Sequence, residues 1–460
     1  MPTSRREFLQ WSSAYTAGFL GVQRLIAGDV ISAGPAPNRG AGIGYGPLAS
    51  DPEGLLDLPV GFRYQVISRT GDEMADGLLV PGKPDGMATF PGPDGLTLIL
   101  RNHENEPTDV GPFGDKNQRL SRIDKALLYD RGEEKWPGYG GVSTVVYDTK
   151  QQKVVKQFLS LGGTIRNCAG GPTPWGSWIT CEETTARKGD GVLRQYTCEQ
   201  DHGYAFEVKA GAQPGLQKAT PLRDMGRFYR EAVAVDPVTG IVYQTEDLKD
   251  GLLYRFVPKQ PGNLAAGGRL QALAVRDKKS LDTRNYDRQR VAVGDRLSAA
   301  WIDMHDVDAP TDELRYQGFN AGAARFGRGE GMWFSDGQIY FACTEGGKKN
   351  IGQIWRLEPS AEGDTLELFA EPNDNRMVQN ADNLTMSPWG DLVVCEDRQG
   401  TTVRLVGVTP RGEFYTLADN NAKGEFAGAC FSPDGSTLFV NIQPKGLTLA
   451  ITGPWHSATV

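Results

Sequence analysis

The chain has 460 residues with 39% hydrophobic content, 58 glycines and 28 prolines, a composition that suits a turn-rich globular protein with ample core. Its net charge of −8 and the absence of any clustered Lys/Arg run argue against a nucleic-acid surface, because phosphate backbones demand such clusters. Beyond the N-terminus, no run approaches the ~20 apolar residues of a membrane span.

The chain opens with Ser4-Arg5-Arg6-Glu7-Phe8-Leu9, followed by a weakly apolar stretch from Trp11 to Gly28. That order resembles a bacterial twin-arginine export signal with processing near Ala27 or Ala33. Residues 1–33 therefore read as the signal and 34–60, rich in Gly and Pro, as an arm or linker; 61–460 read as a single large domain. The translocation machinery is an implied partner. The mature protein is expected to be periplasmic or secreted and free of the membrane.

Phe62–Ser68 alternates as an edge strand should, and is expected to start the first blade of the fold. Six hairpin units follow: Asp85–Asn105, Cys168–Glu183, Glu231–Asp247, Phe326–Glu345, Asp382–Asp397 and Phe426–Asn441. Each has two apolar runs around a turn such as Pro93-Asp94-Gly95, Pro174-Trp175-Gly176 or Ser335-Asp336-Gly337. Glycine supplies the positive φ these turns need, and proline presets their first corner. Segments such as Val142–Tyr147, Lys153–Leu159 and Leu253–Val257 read as outer strands. Arg119–Arg131 reads as a short helix or loop insertion, and 259–325 as a charged, partly helical cap or lid. Irregularly spaced hairpin units of one design predict an all-β fold, a six-bladed β-propeller with loop and helical insertions.

In a propeller, hairpin ends of one polarity meet on one face of the central axis. Acids open the units at Asp85, Glu231, Glu330 and Asp382, and Cys168 takes that position in the second. Six residues past each turn glycine stand Arg101, Glu182, Glu246, Cys343, Glu396 and Asn441. A rim holding Glu104, Glu182 or Glu183, Glu231, Glu246, Glu330, Asp382 and Glu396 would repel itself unless cations intervene. Hard oxygen donors suit Ca²⁺, Mg²⁺ or Fe³⁺, while one thiolate favours iron or zinc. Of four histidines only His103 lies beside the cluster, which argues against a His-rich site. Of six cysteines, Cys168, Cys181, Cys343 and Cys395 lie at hairpin ends or on the strand just before them, which argues against a disulfide framework; Cys181, Cys395 and Cys430 read as core residues and Cys168 as a candidate thiolate ligand. Arg328, two residues before Glu330, adds a fixed cation suited to an anionic substrate group, and in extended backbone both would share a face. Asn383, beside Asp382, is a second substrate-binding candidate. With no nucleophile elbow, Walker loop or dinucleotide fingerprint, the chemistry left is metal-assisted hydrolysis.

RNHEN, NCAGGPTPWGSWITCEE, GRFYREAVAVDP, RGEGMWF and DNLTMSPWGDL, with the twin-arginine start, resemble the PhoX alkaline phosphatases over nearly the whole chain. The resemblance implies a six-bladed propeller whose axial site holds Fe³⁺ and Ca²⁺ joined by an oxo group and hydrolyses phosphomonoesters in the periplasm. It makes Cys168 an iron ligand, Glu231 and Glu330 metal ligands, and Arg328 the phosphate-binding, catalytic arginine. The chain departs from better-known members in its shorter length, in Arg230 where a His often precedes the glutamate, and in Thr245-Glu246-Asp247 where many have a GDD-like segment. A phosphomonoesterase is the favoured reading. The alternatives are a metal-dependent propeller hydrolase of phosphodiesters, phosphotriesters or lactones, and a non-catalytic propeller holding structural Ca²⁺.

Overall fold

The structure is a computed structural model that describes residues 43–193, 196–398 and 403–455. The export signal predicted for 1–33 and the first part of the arm lie outside the described residues.

All six hairpins form as the turn chemistry dictates. Their strands are Pro84–Pro91 with Thr97–His103, Asn167–Pro172 with Ser177–Glu182, and Arg230–Val235 with Val242–Glu246. Gly329–Ser335 pairs with Gln338–Cys343, Ala381–Met386 with Leu392–Glu396, and Phe426–Phe431 with Thr437–Ile442. Most of these strands are buried along their whole length, as sheets covered on both faces must be. Outer strands extend each hairpin as an antiparallel meander. The meanders of the third and fourth hairpins also join at their outermost strands, Arg296–Asp303 against Thr365–Ala370, giving one ten-stranded sheet. The fold is all-β and propeller-like, with one α-helix, Leu314–Ala321, among the described residues.

A closed chain of hydrogen bonds links the hairpins in sequence order. Asn102 Nδ2 donates to the Cys168 and Ala169 carbonyls, and the Cys168 thiol lies 3.4 Å from the Arg230 carbonyl. Thr245 Oγ1 donates to the Glu330 carbonyl, and Asn380 Nδ2 to that of Thr344. The Gly428 amide donates to Asn383 Oδ1, and Asn441 Nδ2 closes the circle on the Asp85 carbonyl. Small residues make this approach possible: a Cβ on Gly86 would lie 2.6 Å from the Ala169 Cα, and one on Gly331 would lie 2.6 Å from the Asn383 Cα.

Two expectations about the edges need correcting. Phe62–Ser68 does not begin the first blade: Arg63–Arg69 is the outermost strand of the last sheet, paired with Leu447–Thr452. The two ends of the domain are thereby zipped together. Residues 259–325 are not simply a lid, since Gly268–Val275 and Arg296–Asp303 are regular strands of the third meander and only the helix and its loops are extra. Arg119–Arg131 is a loop holding short 3₁₀ turns, Leu120–Arg122 and Lys125–Leu127, in keeping with the short helix or loop insertion expected there. In the arm, Leu48–Ala49 pairs with Leu56–Pro59, which lies along Phe414–Asn420. All six cysteines are buried and free, as their strand positions suggest.

Ring closure makes a testable demand at Gly428, where φ is +65° and a Cβ would sit 2.2 Å from the Asp85 carbonyl oxygen. Gly428→Ala should destabilise the protein by about 2–4 kcal/mol through backbone strain and displacement of the first hairpin. The denaturation midpoint measures this, and an unchanged midpoint would show that the last hairpin does not clamp the first.

Candidate metal centre

Each of the six hairpins carries a β-bulge at the same place. The residue pairs Pro84–His103 and Met87–Arg101 leave Asp85 and Gly86 facing Asn102 alone. The same two-against-one mismatch falls at Cys168-Ala169, Glu231-Ala232, Glu330-Gly331, Asp382-Asn383 and Gly428-Ala429. A bulge bends its strand and re-aims a side chain. Here it is the opening residue of each unit that is re-aimed, so Asp85, Cys168, Glu231, Glu330 and Asp382 form an inner ring, with Gly428 contributing no side chain.

Donor oxygens of Glu231, Glu330 and Asp382 all lie within 4.8 Å of one another. The Cys168 thiol is hydrogen-bonded to Glu231 and buried with it. Glu330 Oε1 accepts from Thr344 Oγ1 at 2.6 Å and from Arg328 Nη2 at 2.8 Å. Asn383 is placed between its neighbours, accepting from the Gly428 amide at 2.6 Å and donating to Asp382 Oδ1 at 3.0 Å.

A second row of acids stands just past the second strands: Glu104, Glu183, Asp247 and Asp397. Their amides donate to the carbonyls of Lys83, Arg166, Tyr229 and Asn380, each two residues before an opening residue. Counting six residues past the turn glycine reaches the wrong acid in three units. Adjacent strand residues point to opposite sides, so a one-residue slip changes the face. Glu182 accepts from the amides of Ile165, Gly203 and Tyr204 and from His202. Glu246 accepts from the Leu252 amide and the Tyr254 hydroxyl, and Glu396 from the Gln379 amide and the Arg404 guanidinium. The structure does not bring these three into the inner ring; each ties down chain flanking its own hairpin. Glu345 likewise turns to Tyr286 and Lys249. Glu104 and Glu183 do face the ring.

The cluster is overloaded with negative charge. Burial, reinforced by neighbouring carboxylates, pushes Asp85, Glu183, Glu231 and Glu330 well above the usual carboxyl range. The same causes bring Asp382 up to about 7 and Glu425 up to about 9. Burial also raises the Cys168 thiol, with Glu231 and Glu183 adding to it. Two arginines offset part of the charge. Arg328 grips Asp247 through Nε and Nη2 at 2.8 Å each and reaches Glu330. Arg166 spans Glu104 at 2.9 Å and Glu183. Burial works against the charge of both, yet the carboxylates hold them more firmly protonated than usual. Arg328 reaches Glu330 without the expected extended backbone: its φ is +55°, in the left-handed region. Oxygen donors in excess of the available protein cations, with one thiol among them, fit the binding of several metal ions.

Asp85, Asp247, Asp397, Glu425 and Arg166 escape sequence reasoning as site residues. Asp85 could have been found from its opening position, and Asp247 and Asp397 from the alternation that places the second acid of Thr245-Glu246-Asp247 and Glu396-Asp397 toward the axis. Nothing local marks Glu425.

A separate buried group, Asp130, Cys198 and His202, also brings potential ligand atoms within 4.8 Å. Its groups are already partnered. Asp130 accepts from the amides of Gly132, Glu199 and Gln200 and from His202 Nε2, while His202 Nδ1 bonds Glu182 at 2.7 Å. Burial opposes its charge, but Glu182 and Asp130 outweigh that and keep His202 protonated well above its usual range. This group is a structural tie between loops.

The family model described as alkaline phosphatase PhoX matches residues 43–130 and 140–446. Among solved structures, Pseudomonas fluorescens PhoX in complex with vanadate, a transition-state analogue, aligns at 19% identity with a TM-score of 0.63, covering 90% of this chain and 98% of that one. That likeness concerns the fold. A gluconolactonase from Xanthomonas campestris aligns at 10% identity and a TM-score of 0.41, over 90% of this chain and all of its own. No curated protein matches the chain.

The raised carboxyls set a pH signature. In metal-free protein they keep protons that the unfolded chain, with carboxyl pKa values of about 4, has released. Their contribution to stability is therefore most favourable at low pH and falls as pH rises toward about 7 for Asp382 and about 9 for Glu425. Chelated protein should melt at progressively lower temperature between about pH 5 and about pH 9, and the gap from metal-loaded protein should widen. His202 titrates in both samples and cancels in the gap. A gap independent of pH would mean the axial acids carry no unneutralised charge.

Proposed function

The chain belongs to the PhoX alkaline phosphatase family and is a metal-dependent phosphoester hydrolase; from that membership we propose that it cleaves phosphomonoesters at the axial cluster. The observation carrying this reading is the convergence of Glu231, Glu330 and Asp382 within 4.8 Å, with Cys168 beside them and Arg328 bonded to Glu330. We further read the fold as a six-bladed propeller closed by its N-terminal strand. The ring of six hairpins and the pairing of Arg63–Arg69 with Leu447–Thr452 support it.

Calcium and ferric iron are the proposed residents, with Cys168, Glu231, Glu330 and Asp382 as inner ligands. Glu104, Glu183, Asp85, Asp247 and Asp397 stand within the same ring of hairpin ends. Glu182, Glu246 and Glu396 are not proposed as ligands, because backbone amides and side-chain partners occupy them. The oxygen-rich side formed by Asp85, Glu104 and Asp382 suits calcium, while the thiol side at Cys168 suits iron. Bound metals would supply Lewis acidity toward the phosphoryl oxygens and an activated oxygen nucleophile.

The protein's own part is positioning. Thr344 and Arg328 fix Glu330, and Asn383 fixes Asp382 through its amide donor. Asn383 also holds the last hairpin against the fifth, so its proposed link to substrate runs through that placement. Arg328 has a planar fork matching two phosphoryl oxygens, and its Nη1 lies 4.0 Å from Asp397, outside its tight grip on Asp247. Charge developing on the phosphoryl oxygens would be met by a fixed cation already held beside the cluster. We place the enzyme outside the cytoplasm, delivered by the twin-arginine route read from Arg5-Arg6; none of the described helices is long and apolar enough to cross a membrane.

Two experiments test the reading. Purified protein should contain several ions per chain, with calcium and iron leading. A thiolate–Fe³⁺ charge-transfer band should colour it, and Cys168→Ser should bleach that band while Cys430→Ser leaves it. A colourless iron-loaded protein would remove the thiolate from the site.

Arg328→Ala should lower phosphomonoester turnover by roughly 10²-fold, about 2.7 kcal/mol of transition-state stabilisation, with metal content retained. Arg328→Lys should recover only part, since a point charge replaces a fork. Turnover and metal analysis of both variants decide it: wild-type rates in the alanine variant would take Arg328 out of the chemistry.

A further inference from the structure

Arg166 repeats Arg328 in every backbone detail. Arg166 stands two residues before Cys168, and Arg328 two before Glu330. Their φ values are +50° and +55°, a region few non-glycine residues adopt. The carbonyl of Arg166 accepts from the Glu183 amide at 2.9 Å, and that of Arg328 from the Thr344 amide at 2.9 Å, each just past the unit's own second strand. The amide of Arg166 donates to the Asn105 carbonyl and that of Arg328 to the Leu248 carbonyl, each one residue past the preceding unit's inward acid. As a result both guanidinium groups land on the acid in front of them, Glu104 for Arg166 and Asp247 for Arg328. Lys83 and Asn380 share the left-handed conformation, but Lys83 pairs outward with Asp109 at 3.0 Å and Asn380 is uncharged.

The two arginines flank the third hairpin. Asp247 is near enough to Glu183 to raise its carboxyl, so Arg166, Glu183, Asp247 and Arg328 form one continuous arc beside Glu231. Both side chains are open to solvent to a similar degree, 33% and 29%. Their pairing differs: Arg166 directs Nε to the Glu183 carbonyl at 3.0 Å, Nη2 to Glu104 and Glu183 and Nη1 to Glu106 at 3.3 Å, whereas Arg328 closes Nε and Nη2 on Asp247 and leaves Nη1 4.0 Å from Asp397.

We infer that Arg166 is a second substrate-binding arginine, holding phosphoryl oxygens across the site from Arg328. The inference rests on the phosphatase reading. Two guanidinium groups facing one phosphoryl group favour a dianion, so Arg166 sets the preference for phosphomonoesters over monoanionic diesters.

The test compares wild type with Arg166→Ala and Arg166→Lys. Its readouts are kinetics on p-nitrophenyl phosphate and bis(p-nitrophenyl) phosphate, calorimetric binding of inorganic phosphate to metal-loaded protein, and metal content. Arg166→Ala should raise the monoester KM and weaken phosphate binding by about tenfold or more, as expected for a lost charge-assisted contact. The monoester-to-diester ratio of kcat/KM should shrink, metal content should hold, and Arg166→Lys should recover part of the binding. Unchanged KM and phosphate affinity would overturn the inference. Loss of metal from Arg166→Ala would overturn it too, assigning Arg166 to neutralising Glu104 and Glu183. Should the alanine variant not fold, a metal-replete Arg166→Lys with wild-type KM and phosphate affinity has the same force. A wild type that turns over no ester defeats the phosphatase reading itself, while calorimetry still judges Arg166.

Discussion

Mutual repulsion among carboxylates at the ring axis is the constraint on which the rest of this structure depends. Left to itself, a ring carrying Asp85, Glu183, Glu231, Glu330 and Asp382 would spread, because burial and proximity both penalise the charged form. Hydrogen bonds between neighbouring hairpins hold it shut, and several of them involve backbone groups at or beside the acidic residues themselves. Thr245 holds the Glu330 carbonyl, Asn441 that of Asp85, and Asn102 that of Cys168. The scaffold therefore grips these residues by their main chains and leaves their side chains to face one another in the ring. Where the axis is narrowest, Gly86, Gly331 and Gly428 let the backbones meet.

The hairpins were legible in the sequence because their signal is local: Pro and Gly in turns, and apolar runs on either side. The opening acids were legible for the same reason, since each begins a unit. What the sequence concealed was long-range or depended on a single residue of phase. Nothing in Phe62–Ser68 distinguishes a first-blade strand from the outer strand of the last sheet, because its partner Leu447–Thr452 lies at the far end of the chain. The charged composition of 259–325 hid two regular strands: Gly268–Val275, buried over most of its length, and Arg296–Asp303, whose partly exposed face tolerates polar residues. Counting from the turn glycine found Glu182, Glu246 and Glu396, yet the pleat sends them away from the axis and sends Glu183, Asp247 and Asp397 toward it. Arg328 was read correctly as Glu330's neighbour on a wrong premise, since it reaches that acid from left-handed backbone.

Those paired acids divide the work between fold and site. Glu182, Glu246 and Glu396 each receive backbone amides from chain flanking their hairpin, and each gains a side-chain donor: His202, Tyr254 or Arg404. Removing one would leave buried donors without acceptors and loosen the loop. Their neighbours Glu183 and Asp247 meet arginines instead, and Asp397 lies at the edge of Arg328's reach. Such contacts are exchangeable, because a guanidinium that neutralises a carboxylate can turn to an anion once another cation takes over that carboxylate. One dipeptide thus anchors a loop with its first acid and furnishes the site with its second.

The repeated bulge explains how a nearly symmetric scaffold carries an asymmetric site. Because backbone bonds build the bulge, its side chain is free to vary among Asp85, Cys168, Glu231, Glu330, Asp382 and Gly428 without disturbing the pairing. Carboxylates of two lengths set how far each donor reaches toward the axis, and the thiol introduces a softer donor at one point. Gly428 removes a donor where Asn383 and the Asp85 carbonyl already press against the last hairpin. The position two residues earlier varies in the same way, with Arg166 and Arg328 where other units have Lys83, Tyr229 or Asn380. Among the described residues, arginine and carboxylate rows therefore interleave around the second to fourth hairpins, the sector proposed to meet an anionic substrate.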